Sequence, residues 1–216
     1  MSPTRRRGWI VAVALLVVAG AVLIGLALTT GPRTAAPVAA ADTRAPVTVS
    51  APAPTTTAAP VELPVSPPAR IAIPAIGVDS AVGTVGLNPD GTVGVPAPGP
   101  HYDDAAWYTG SVTPGRPGPS VVLGHIDSAA NGPSVFYRLG ALQPLDEFTV
   151  TRSDGRTVVY KVNSVKSYPK DAFPTEAVYG PTTRPEIRLI TCGGAFDSAA
   201  RSYVDNTVVY ANQISP

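Results

Sequence analysis

Hydrophobic and polar positions divide the chain into three stretches of different rhythm. An uncharged run from Trp9 to Leu28 follows Arg5, Arg6 and Arg7. Its 20 residues would extend about 30 Å as a helix, the depth of a bilayer's hydrocarbon core. We read a basic cytoplasmic N-terminus over 1–8 and a transmembrane signal-anchor helix over 9–30. The arginines hold their flank inside, which puts the rest of the chain outside in single-pass orientation. A cleaved signal peptide has a shorter apolar region, about 7–15 residues, so the length favours an uncleaved anchor. Residues 31–69 show no period: they hold 9 Pro, 11 Ala and 6 Thr with no aromatic residue. Such a segment cannot bury enough apolar surface to offset the entropy of ordering. It is expected to be a disordered, proline-stiffened linker that spaces a folded part from the membrane.

From Arg70 the signals become those of strands, short apolar or alternating runs broken by Gly, Pro, Asn-Pro-Asp-Gly and Ser-Asp-Gly turns. Expected strands are Arg70 to Ile73, Val78 to Val85, Thr92 to Val95, Ser120 to Gly124, Glu147 to Arg152, Thr157 to Tyr168, Glu186 to Thr191 and Thr207 to Ala211. The hairpin from Phe148 to Lys161 is the clearest, with Asp154 and Gly155 in its turn. Short helical pieces are expected near Ala105 to Tyr108 and Val135 to Leu139. With about eight strands, a closed barrel is favoured over an open sheet because closure removes exposed edges. The predicted class is all-β.

Charge narrows the partners. The chain carries a formal +1, but five of its arginines precede Arg70, leaving 11 basic and 13 acidic residues in the strand-rich part. No cluster of Lys and Arg forms a face for phosphates, which sets nucleic acid aside. One cysteine and two histidines exclude an internal disulfide and a four-ligand Cys/His zinc site. Asp103 and Asp104 read as a solvated turn rather than a calcium site.

The single cysteine is either a small buried hydrophobe or a reactive group. Cys192 follows Glu186-Ile-Arg-Leu-Ile-Thr191 and precedes Gly193 and Gly194, where a buried strand is expected to give way to a flexible loop. Glycines there can admit a substrate backbone and offer N–H groups to an oxyanion. His125 has the same context, closing the run Ser120-Val-Val-Leu-Gly-His125. Two strand ends thus offer the two halves of a thiol/imidazole pair, and an imidazole beside a thiol supplies the thiolate that does the chemistry. His101, in a Pro-Gly-Pro-His-Tyr loop, is assigned a structural role.

These residues resemble the sortase family, and within it the actinobacterial class F group. Ile71-Ala-Ile-Pro-Ala-Ile-Gly-Val-Asp79 resembles the family's opening strand, and Val121-Val-Leu-Gly-His-Ile-Asp127 its histidine motif. Leu189-Ile-Thr-Cys-Gly-Gly194 is similar to its cysteine motif. Phe136-Tyr-Arg-Leu and Pro144-Leu-Asp-Glu-Phe-Thr-Val resemble the segment entering its central hairpin. The resemblance implies a closed eight-stranded sortase barrel as a catalytic domain over 70–216, anchored outside the cytoplasm. It implies that Cys192 attacks the peptide carbonyl of an LPxTG-like sorting signal to give an acyl-thioester. His125 would protonate the leaving amine and deprotonate an incoming one, such as that of a peptidoglycan precursor or a pilin lysine. No metal or organic cofactor is implied.

The family's third residue is an arginine that steadies the substrate and the oxyanion, and here this sequence departs from the pattern, with Asn206 at the corresponding position. Arg188 shares a strand face with Ile190 and Cys192 by the period of two, and Arg201 follows in the next loop. Either arginine, or Asn206 as a hydrogen-bond donor, could fill the role, with Thr191 and Gly193 beside the substrate. An L,D-transpeptidase would instead carry Ser-x-Gly-Cys with an arginine soon after, and a non-catalytic barrel would leave Cys192 merely buried. Papain-like enzymes place cysteine before histidine, the reverse of the order here.

Overall fold

The computed structural model describes residues 63–215. The predicted anchor helix and most of the linker lie outside the described residues, among which no helix is long and apolar enough to cross a membrane. In chain order the strands are β1 (Pro68–Ile73), β2 (Val78–Val85), β3 (Ala105–Tyr108), β4 (Gly118–Leu123), β5 (Asp127–Ser128), β6 (Gly132–Pro133), β7 (Glu147–Arg152), β8 (Thr157–Pro169), β9 (Pro185–Asp197) and β10 (Ser202–Ser215). One short helix, α1 (Thr175–Tyr179), lies between β8 and β9. Eight strands close a mixed barrel in the order β1-β2-β3-β4-β9-β10-β8-β7, and β5 with β6 forms a separate two-stranded ribbon. The β2/β3 and β4/β9 pairs are parallel and the other barrel pairs antiparallel.

The predicted hairpin forms as β7 and β8, with Phe148 opposite Tyr160 and Val150 opposite Val158. Its alternation turns Phe148, Val150, Val158, Tyr160 and Val162 into the barrel core, and the Phe148 and Tyr160 rings stack with centroids 5.6 Å apart. Gly155, at φ 82°, takes the left-handed position that the turn requires. By contrast β4 is buried at all six positions because both of its faces are covered. Val122 joins the interior core, while Val121 and Leu123 join a second cluster outside the barrel with Val178 of α1, Ile190 and Val208. A strand covered on both sides reads as a continuous apolar run rather than an alternation.

Three expectations are corrected. Ala105–Tyr108 is a strand, not a helix: Ala105, Ala106 and Trp107 are consecutively buried, and β3 is wedged between β2 and β4. Thr92–Val95 is no barrel strand. It makes a single bridge, Leu87 to Val93, in a loop where Asn88 and Thr92 bond each other. The anticipated helix at Val135–Leu139 reduces to a 3₁₀ turn over Leu139–Ala141.

The described fold begins before Arg70, at residues whose proline content reads as linker. Leu63 and Ser66 are buried, and the cause is Arg152, whose side chain is wholly buried at an inward position of β7. Its guanidinium donates to the carbonyls of Pro64 and Pro114 and pairs with Asp154 at 2.9 Å. A buried guanidinium has to find acceptors for its donors, and the proline-rich segment supplies one. Ser153 N–H to Pro67 O and Asp154 N–H to the Ser66 hydroxyl complete the clasp.

Arg152→Ala is expected to lower stability by about 3–5 kcal/mol, since breaking one side of a buried pair strands the partners; the urea midpoint measures this. The Arg152 hydrogen bond holds the Asp154 carboxyl below its ordinary value of 3.8. A carboxyl depressed in the folded state contributes stability above its unfolded value, and that contribution is lost as pH falls through the folded value. The stability advantage of the wild type over Asp154→Asn is therefore expected in full at about pH 6 and should shrink progressively as pH falls below about 4, through the depressed folded value. Urea titrations of both proteins from about pH 6 down to about pH 2 check it.

Candidate active site

Strand pairing builds the site. β4 and β9 run parallel in one register from Gly118 opposite Pro185 to Leu123 opposite Ile190. Gly124 extends the ladder by donating to Ile190 O at 3.1 Å, so the chain leaves β4 at His125 beside Thr191 and Cys192. A side chain at residue 124 is excluded, because a Cβ there would lie 2.6 Å from Val135 Cγ1 and 2.7 Å from Phe136 Cδ2. The same segment fixes the backbone of His125, whose carbonyl accepts from Phe136 N–H at 3.0 Å.

The imidazole is held on two sides. Its ring stacks on Tyr102 with centroids 4.0 Å apart and planes 8° apart, and Nε2 lies 2.9 Å from Pro96 O. A carbonyl can only accept, so Nε2 carries the proton, and in the neutral ring Nδ1 is left as the free base. Both Tyr102 and Pro96 belong to the loop between β2 and β3. Tyr102's hydroxyl is pushed above its ordinary range by burial and by the nearby Asp103, Asp127 and Cys192.

Cys192 is half-buried on β9, opposite Asn206 of β10. The expected strand end is corrected here, for β9 runs on to Asp197 and folds straight back into β10. The glycines serve that hairpin. A Cβ on residue 193 would sit 2.4 Å from Thr207 Oγ1, and Gly194, at φ +74°, would meet Asp205 at 2.7 Å. The register shifts between Tyr203 and Asp205, which marks a bulge next to the cysteine.

His125, Thr191, Cys192 and Asn206 line one cleft of about 670 Å³, with Val93, Tyr108, Phe173 and Tyr179 among its apolar walls. That volume is in the range that holds a small ligand or a short peptide segment. Thr191 Oγ1 is buried without a hydrogen-bond partner. Gly193 is not part of the lining. The two arginines stand elsewhere. Arg188 is 4% exposed, pairs with Glu186 at 2.7 Å and lies 4.6 Å over the Tyr210 ring. Arg201 is exposed at the tip of the β9–β10 turn, at φ 50°. His101 is exposed too, bonded through Nδ1 to Asp104 at 2.8 Å.

Three side chains escaped the sequence reading. Lys170, in the turn after β8, brings Nζ to 3.7 Å from Cys192 Sγ and 2.9 Å from Ser202 Oγ. Tyr102 carried no signal beyond its place next to His101. Asp127, two residues after His125, accepts a short hydrogen bond from the Tyr203 hydroxyl. That bond, followed by burial and the Asp127 charge, pushes the Tyr203 phenol up to about 12. A thiol set among an imidazole, an ammonium and an apolar cleft is equipped for attack on an acyl carbon.

The comparisons with known proteins agree with this fold. The model of the Sortase domain matches residues 71–214. The fold is similar to sortase C-1 from Actinomyces oris at 22% identity, covering 68% of this chain and 73% of that one, with a TM-score of 0.53. It is similar to a lid mutant of sortase A from Corynebacterium diphtheriae at 21% identity, covering 71% and 72%, with a TM-score of 0.52. A Clostridium perfringens sortase D5 transpeptidase shares 19% identity over 69% of this chain and 79% of that one, with a TM-score of 0.51. A search of curated protein sequences returns no significant match. With the family model covering most of the barrel, the chain belongs to the sortase family, a family of cysteine transpeptidases.

Proposed function

We propose that this chain is a class F-type sortase that cleaves an LPxTG-like sorting signal through an acyl-thioester on Cys192 and passes the acyl group to a cell-wall or pilin amine. The observation that carries the reading is that Cys192 and His125 line the same apolar cleft. The class rests on the sequence of the histidine and cysteine motifs. The Arg5 to Arg7 flank and the uncharged run behind it support a catalytic domain tethered at the outer face of the cell membrane.

In this reading the Cys192 thiol gives its proton to His125 Nδ1, since Nε2–H is engaged with Pro96 O. The thiolate adds to the scissile carbonyl carbon, and the C=O electron pair moves onto oxygen. Collapse breaks the C–N bond, and the leaving amine takes the proton from Nδ1. An incoming amine then loses a proton to Nδ1, attacks the thioester and releases the thiolate. Phe173 and Tyr179 supply apolar wall against which the side chains of a bound peptide can pack.

The full-length chain, purified in detergent and incubated with LPxTG-like peptides, is expected to gain the mass of the acyl fragment on Cys192 and to lose it onto an added amine. Cys192→Ala is expected to form no adduct. His125→Ala should slow transfer by about 10²–10⁴-fold, with the melting temperature unchanged in both. A Cys192 that resists small alkylating reagents in the folded protein would point instead to a non-catalytic barrel.

A further inference from the structure

Acyl transfer of this kind is assisted by positive charge twice, first beside the thiolate and then beside the tetrahedral oxyanion. Neither arginine foreseen from the sequence supplies it. Arg188 is four residues from Cys192 along an extended strand, about 13 Å away, and its guanidinium is taken up by Glu186 and the Tyr210 ring. Arg201 is not part of the cleft lining, and Asn206, opposite Cys192, is neutral.

Lys170 is the one Lys or Arg among the described residues lining the cleft, and its Nζ points at the sulfur at 3.7 Å. The approach is built by the sheet. Tyr168 of β8 pairs with Asn206, and Asn206 pairs with Cys192, so three strands carry one row across to the nucleophile. β8 ends at Pro169, opposite Asp205, and the 3₁₀ turn Lys170–Ala172 starts there. Ser202 of β10 then accepts from Nζ at 2.9 Å and fixes the head of a long side chain. An ammonium has three donors. One is used on Ser202 and one on Cys192, which leaves the third for the cleft.

We propose that Lys170 is the third catalytic side chain of this protein, stabilising the Cys192 thiolate and then donating to the carbonyl oxygen that becomes the oxyanion. Lys170 keeps its proton throughout; the proton that moves travels between Cys192, the amines and His125. The His125 imidazole and the Lys170 ammonium share the cleft with the thiol, and the Tyr102 and Tyr203 phenols lie within electrostatic reach of it. Asp127 lies behind Tyr203, and Asp171, Asp197 and Asp205 border Lys170 on the side away from the cleft. The assignment rests on the thioester reading above, and it places the cation of this chain on the β8 end instead of on β10.

The test compares the wild type with Lys170→Met and Lys170→Arg in the full-length chain. Lys170 is exposed, so all three should melt together. With a sorting peptide and an amine, Lys170→Met is expected to lose about 10²-fold in kcat, the usual effect of removing one oxyanion donor. Lys170→Arg should retain most of the rate. In a second arm, the rate of Cys192 alkylation by iodoacetamide at neutral pH should fall about tenfold in Lys170→Met and hold in Lys170→Arg. This arm needs no peptide, so an unchanged rate overturns the assignment even if no sorting signal acylates the protein. A wild type that acylates, beside a Lys170→Met that turns over at the same rate, overturns it while leaving the transpeptidase reading in place.

Discussion

The parallel pairing of β4 with β9 is the constraint on which the site depends. Strands that run side by side in the same direction deliver their C-terminal residues to the same edge, so one register fixes both His125 and Cys192. A slip of one residue would send every side chain of β9 to the opposite face, taking the thiol out of the cleft and into the barrel. That register is protected by burial on both faces. Ile187 and Leu189 point into the interior core, while Ile190 points into the outer cluster. Parallel pairing also requires a long crossover, here the segment containing the β7–β8 hairpin and α1.

The outer cluster links packing to function. Val178 of α1 covers Val121, Leu123, Ile190 and Val208, and Phe173 and Tyr179 pack at its margin. Those same margin residues become the apolar wall of the cleft. The surface that stabilises β4 and β9 from outside thus also forms one wall of the cleft beside Cys192. Arg188 shares that outer face by the period of two, as its sequence position indicated. At its distance from the cysteine the face is closed over by Tyr210 and Glu186, so the guanidinium serves the wall rather than the cleft.

What was legible in the sequence was local or strictly periodic. Val78–Val85 and Glu147–Arg152 end where their alternation ends, and the Asp154-Gly155 turn announced its hairpin. The strand count pointed to a closed barrel and the strand-end contexts to Cys192 and His125 as a candidate pair, with the ordered motifs around them carrying the resemblance. Features set by distant chain were not legible. Ala105-Ala106-Trp107 has no strand period because both its neighbours bury it, and Thr92–Val95 has strand-forming residues but no strand to pair with. Leu63 to Ser66 look like linker by composition and are folded in by Arg152, some ninety residues away. Lys170 was invisible for the same reason, since only the register of β8 on β10 on β9 brings it to the sulfur.

The choice of a lysine at this place follows from that register. β10 separates β8 from β9, and adjacent strands are about 4.8 Å apart, so a group from the end of β8 has to cross nearly 10 Å of sheet to reach Cys192. A short side chain could not do so. A lysine has a flexible four-carbon stem and a compact charge that needs no planar partner, and the turn at Lys170 lets the stem fold back over the strand between. Its entropy would ordinarily make such a reach imprecise. Ser202 removes that freedom by binding the head from β10, just where the bulge at Val204 bends the hairpin next to the cysteine. The Gly193-Gly194 pair that permits this bulge is therefore tied to the charge beside the thiol: a larger residue would press on Thr207 and Asp205, and with them on the strand that holds Ser202.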